Sequence, residues 1–218
     1  MATARIASIP ATTLFKNSGG NALYIPPNQA VAVANPYSGW VQIPTTATDI
    51  GDIAAAEFLW YLPATNPLLI ASGETAYFYR RFTVSFAALT AVTTPITPAV
   101  SIVADNAFLG RINIIPSLGG ANITNLYDGV FTPSQSLYQT TPYTWQTITT
   151  PPVTPSNLLL GETSVTVEFE LEVMNYMASP LGNPQNPAGF EYSVSISGFP
   201  AGSTFTNANN SNPVSPLP

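Results

Sequence analysis

The chain has 218 residues, 45% of them hydrophobic and only 7% charged. That is enough apolar material for a real core, with far less charge than the roughly one quarter of an ordinary soluble domain. The 11 acids outweigh 5 bases for a net charge of −6, which argues against nucleic acid and anionic membrane surfaces, both of which need clustered Lys and Arg. The absence of Cys and His removes disulfides, thiolate metal sites and any Ser-His-Asp or Cys-His mechanism.

From the start, Met1–Phe15 carries Arg5 but no continuous apolar run, because Pro10, Thr12 and Thr13 interrupt it. It does not read as a signal peptide, and no run elsewhere is long enough to span a bilayer. Residues 1–18 read as an extended arm. Ile6, Ile9, Leu14 and Phe15 are spaced too irregularly for a helix, and they are the residues such an arm would lend to a neighbouring subunit by strand addition. Gly19-Gly20 suits a hinge. Ala22–Val33 gives a strand broken by Pro26-Pro27, Gly39–Ile43 a short strand carrying Trp40, Asp49–Ala56 a helical turn or loop, and Phe58–Leu62 a buried strand stopped by Pro63.

Thr75–Phe86 alternates: Ala76, Phe78, Arg80, Phe82, Val84 and Phe86 fall on one side, and Thr75, Tyr77, Tyr79, Arg81, Thr83 and Ser85 on the other. Arg80 interrupts the apolar face, so a partly buried, paired arginine is expected there. Ala88–Pro98 is a Thr- and Pro-rich connection. Ala99–Asn113 reads as a strand, a tight Asp105-Asn106 corner and a second strand. Pro116–Thr141 is a long insertion, and Trp145–Ile148 opens a segment that dissolves into Thr149-Thr-Pro-Pro.

The clearest pattern is Thr163–Val173. Val165, Val167, Phe169, Leu171 and Val173 share one face, and Thr166, Glu168, Glu170 and Glu172 share the other, as in a strand with one side on a core. Asn175–Asn186 is a loop, Pro187-Ala188-Gly189 a turn, Phe190–Ile196 the last strand, and 201–218 a flexible tail. Roughly eight to ten strands without a convincing helix predict an all-β fold. The expected architecture is an antiparallel jelly roll or β-sandwich over 19–200, with the insertion at 116–141 and extended arms at both ends.

Three segments, in order, resemble the galactose-binding-like jelly-roll domain over about residues 58–198. Tyr79-Arg-Arg-Phe-Thr-Val is similar to that family's aromatic-Arg-x-Phe-x-Val strand. Val100-Ser-Ile-Val-Ala-Asp-Asn-Ala-Phe resembles its Ala-Asp-Asn corner, although Ile114 follows Arg111-Ile-Asn113 where the family runs into a Leu-Asn-Gly turn. Leu160-Gly-Glu-Thr-Ser-Val-Thr-Val through Asn175, then Asn186-Pro-Ala-Gly-Phe, resembles its ending, with Thr163 where Asn is usual. The resemblance implies a β-sandwich and leaves the ligand open, since the fold hosts sugar binders, structural modules and partner-binding modules.

Candidate chemistry is sparse. Glu168, Glu170 and Glu172 stand in a row at roughly 7 Å intervals. A flat row does not converge on a calcium ion, so it reads as a solvated face with cross-strand Thr or Arg partners. Nothing sets Glu168 or Glu170 against Asp105 or Asp128 at a glycosidase separation. No catalytic residue, metal or cofactor is expected. Asp105, Asn106, Gly161 and Gly189 read as turn-makers, the glycines through positive φ. Tyr127, Asp128, Tyr143 and Trp145, in or beside the insertion, form the candidate sugar platform.

Two functions follow. The first is a non-catalytic surface protein that self-assembles as a coat, capsid-like or filament subunit. It would sit on a cell, spore or virion and reach it without a recognisable signal peptide. Low charge weakens the repulsion between copies, and terminal arms link them. The alternative is a carbohydrate-binding module or lectin using the aromatics of 116–145.

Overall fold

The computed structural model describes residues 1–17, 28–33, 38–61, 74–91, 95–128, 131, 144–176 and 188–208. Every regular element among them is a strand except a 3₁₀ turn at Thr144–Gln146. None forms a helix long and apolar enough to cross a membrane.

The strands form two sheets packed face to face. The first is built on β11 (Gly189–Phe199), with β7 (Thr97–Asp105) antiparallel along one side. The other side of β11 takes β1 (Ala2–Ala7) and, further along, β5 (Leu59–Trp60). β3 (Val31–Ala32) extends β5, and β4 (Ile50–Gly51) runs parallel to β1. The second sheet runs β6 (Glu74–Ser85), β10 (Ser164–Asn175), β8 (Ala107–Pro116), β9 (Asn122–Tyr127), all antiparallel. β2 (Leu14–Asn17) and β12 (Thr204–Asn207) lie end to end on the far side of β6. The result is the predicted all-β sandwich, with 12 strands among the described residues against the eight to ten expected.

The period-2 pattern decides which faces meet. Val165, Val167, Phe169, Leu171 and Val173 of β10 are all buried, and so are Ala76, Phe78, Phe82 and Val84 of β6. They pack on the inner residues of β11: Phe78 meets Phe190 at 4.1 Å between ring centroids, and Phe169 meets Tyr192 at 4.7 Å. Burying each such side chain contributes about 1.5–3 kcal/mol.

Arg80 lies on that inner face at 0% exposure, as its place in the alternation requires. Its Nη2 pairs with Asp52 at 3.1 Å and donates to Asn207 Oδ1 at 2.6 Å, and its Nη1 donates to Thr12 Oγ1. Asp52 Oδ2 also accepts from the Ala7 amide at 3.0 Å, while its carbonyl accepts from Arg5 Nη1 at 3.1 Å. One carboxylate thus ties β1, β6 and the loop after β4 together.

That clasp corrects the reading of residues 1–18 as an arm. Ile6 lies in the core and Leu14 is buried against Tyr79 in the chain's own sandwich. Phe15 packs against the core, 5.8 Å from the Tyr61 ring. The carbonyl of Ile9 anchors the turn that carries the chain from one sheet to the other, accepting from the Thr12 and Thr13 amides. The tail is likewise partly built in, because β12 pairs with β6 and Phe205 stacks on Phe82 at 5.1 Å; 209–218 lie outside the described residues.

Other expectations shift locally. Gly39–Ile43 forms no strand; Trp40 instead lies over Gly189, where a Cβ would stand 2.7 Å from the indole. Gly189 is therefore needed for close approach, not for positive φ, whereas Gly161 does have φ of 84°. The expected 116–141 insertion begins as edge strand β9, and 129–130 and 132–141 lie outside the described residues. Opposite the Asp52 clasp, Thr149–Ser156 runs along β7 through Ile102 and Ile96 and reaches β9 through Thr154 and Thr124.

Candidate functional site on the outer face of the second sheet

The register of the second sheet aligns its outward residues in rows that cross the strands. One row reads Lys16 (β2), Tyr77 (β6), Glu172 (β10), Leu109 (β8), Tyr127 (β9). The next reads Leu14, Tyr79, Glu170, Arg111, Asn125, and the third Arg81, Glu168, Asn113, Ile123. Three of the chain's 5 basic residues, Lys16, Arg81 and Arg111, lie on this face opposite three glutamates.

The rows differ in depth. Glu168 and Glu170 are 1% and 2% exposed, so the expected wet glutamate face is corrected at its centre. Burial is affordable because the ions are partnered. Glu168 accepts from Tyr79 Oη at 3.2 Å and Asn113 Nδ2 at 3.1 Å, and Arg81 Nη1 stands 3.5 Å away. The expected Thr and Arg cross-strand partners are present, with Thr83 and Thr166 hydroxyls 3.0 Å apart. Burial, then the neighbouring Glu168 charge, holds the Tyr79 phenol protonated far above its ordinary range.

The first row is accessible along its whole length. Tyr77 Oη donates to Glu172 at 3.0 Å, and Lys16 Nζ sits 4.7 Å from the Tyr77 ring centroid. Burial and Glu172 push the Tyr77 phenol up to about 12. Glu172 is itself raised, by burial first and by Glu170, against the opposing effects of Tyr77 and Lys16. Tyr127 is 51% exposed, with its hydroxyl donating to the Phe131 carbonyl at 3.1 Å. The row thus offers two tyrosine rings, an apolar spacer, a carboxylate acceptor and an ammonium donor on a rigid sheet.

Of the described residues expected from sequence, only Tyr127 lies in this row. Asp128 is committed to the backbone, accepting from Phe108 N at 2.6 Å and Phe131 N at 2.8 Å. Trp145 is half-buried against the core beside β7, and its carbonyl accepts from Val41 N. Tyr143 lies outside the described residues. Lys16, Tyr77, Leu109 and Glu172 were missed as a group. Alternation assigned Tyr77 and Glu172 to outward faces, but only the pairing of β6 with β10 and of β2 with β6 brings them together.

Among the buried acids elsewhere, Asp105 and Glu191 have a raised pKa. Asp105 at the β7–β8 corner accepts from Trp40 Nε1 at 3.1 Å and from Asn106 Nδ2, and burial raises it from 3.8 to about 8. Glu191 on β11 accepts from Ile43 N at 3.2 Å, and burial raises it to about 7. Both fasten loops to the first sheet. Among the described residues no group of three acids is arranged to hold a metal ion.

No protein-family model matches the chain, and no curated protein matches it. Among solved structures it is similar to TmCBM61 in complex with β-1,4-galactotriose, at 8% identity and a TM-score of 0.32 over 90% of this chain and 88% of that one. A likeness that weak does not bear on function.

Proposed function

We propose that the protein is a non-catalytic binding module of the galactose-binding-like type that holds a polyhydroxylated ligand, a glycan, on the outer face of its second sheet. The observation that carries the proposal is the accessible row Lys16, Tyr77, Glu172, Leu109, Tyr127. Pyranose rings pack their C–H faces on aromatic rings and direct hydroxyls at planar acceptors and charged donors, and a few well-placed polar groups then fix orientation. The buried residues at the centre of the second and third rows, Tyr79, Glu170, Glu168 and Asn113, give the first row a rigid support. The resemblance of Tyr79–Val84, Val100–Phe108 and Leu160–Asn175 to that family adds support for the fold type.

A glycan array probed with the full chain tests this. Retention of a defined glycan, weakened at least tenfold by Tyr127→Ala or Glu172→Gln but not by Trp145→Ala, is the expected result. Retention of no glycan at millimolar concentration refutes the reading, and dependence on Trp145 alone moves the site.

A second reading, self-association as a surface subunit, draws on a different observation. Leu118, Leu159 and Leu160 are 62%, 52% and 56% exposed, and Leu118 lies against Gly161, which directly follows Leu160. With 7% charge, little repulsion opposes contact between copies. Size-exclusion chromatography should then give oligomers that Leu159→Asp with Leu160→Asp disperses; a monomer at all concentrations removes this reading.

A further inference from the structure

We infer that the ligand of the outer face is an uncharged glycan, and that acidic sugars are rejected by the charge pattern of the face itself. The inference rests on the proposed glycan site and deepens it. The outer face carries three carboxylates along β10 and three cations on β2, β6 and β8, so its charges balance in number. Arg81 stands 3.5 Å from Glu168. Arg111 sits opposite Glu170 in register and donates through Nε to Asn125 Oδ1 at 3.3 Å. Lys16 lies over the Tyr77 ring and acts on Glu172. A uronate or sulfate binding at Arg81 would have to compete with Glu168, and would leave that buried carboxylate without its cation.

The accessible row adds repulsion. Its central polar group is Glu172, flanked by Glu170 one row below, so an incoming anion meets a carboxylate at the middle of the site. A neutral hydroxyl meets the same group as a hydrogen-bond acceptor, and charged acceptors make the stronger hydrogen bonds. Tyr77 Oη already donates to Glu172 Oε1, and Oε2 is the oxygen through which a ligand hydroxyl would bind. Selection against charge is thereby built from an unfavourable element as well as a favourable one.

The test titrates soluble neutral galactan and polygalacturonate, polymers of galactose and of galacturonic acid, into the full-length protein at low and at physiological salt. Retention of galactan with at least tenfold weaker retention of polygalacturonate at both salts is expected. Glu172→Lys should narrow or invert that ratio, with the inversion fading as salt rises. Equal or tighter binding of polygalacturonate by the unaltered chain overturns the inference and leaves the glycan site standing. Binding of neither galactan nor any other glycan on an array overturns the site, and the inference with it.

Discussion

Single residues in this protein act as fasteners more often than as chemistry. Asp105 and Glu191 illustrate the cost. Both are acids whose folded pKa lies above the ordinary value, about 8 against 3.8 and about 7 against 4.5. Between those limits the folded state holds protons that the unfolded state releases, so the contribution of these two groups to stability is greatest below about pH 4 and falls as pH rises towards 8. The thermal midpoint should therefore drop from pH 5 to pH 8, and Asp105→Asn should flatten that slope; an unchanged slope would show that Asp105 is ionised at its corner. Arg80 and Asp52 make the complementary case. Asp52→Ala strands a guanidinium with 0% exposure, and a loss of about 3–5 kcal/mol in a denaturant titration is expected. Arg80 was legible in the sequence, because one polar residue in an apolar alternation is either a misreading or a paired ion. The burial of Glu168 and Glu170 was not legible, because alternation names a face and not its partners.

At the scale of elements, legibility followed the length of the apolar alternation. β6, β10 and the β7–β8 pair around Asp105-Asn106 stood out because each repeats its pattern over most of a strand. β1 did not, because its inner residues are Ala2, Ala4 and Ile6, two of them too small to mark a strand, and outward-facing Arg5 is buried. Arg5 is affordable there because Nε donates to Ser193 Oγ and Nη1 to the Asp52 and Ala54 carbonyls. Since β1 fills the edge of β11 from Ser193 to Phe199, removing residues 1–8 should abolish cooperative unfolding. A free arm predicts an unchanged thermal transition, so calorimetry of the truncated chain separates the two. Gly189 marks a second element-scale constraint. Gly189→Ala drives a methyl into Trp40, and a destabilisation of about 1–3 kcal/mol follows from overpacking.

At the scale of the molecule, the outer faces of the two sheets differ. The first sheet's outer face is occupied by its own loops: Trp40 over Gly189, Ile43 on Glu191, and Thr46 opposite Ser195. The second sheet keeps an accessible row of mixed aromatic and charged residues on a partnered base. Sequence alone could not find that row, because it depends on strand order, and order came from long-range pairings that bring residue 16 beside 77 and 77 beside 172. The most direct test of the row as a binding surface is chemical-shift mapping of the isotope-labelled full chain against a glycan retained on an array. Shifts concentrated at Lys16, Tyr77, Leu109, Tyr127 and Glu172, and abolished by Tyr127→Ala, are predicted. Shifts confined to Thr144–Ile148 or to the Leu118, Leu159 and Leu160 end would contradict the account.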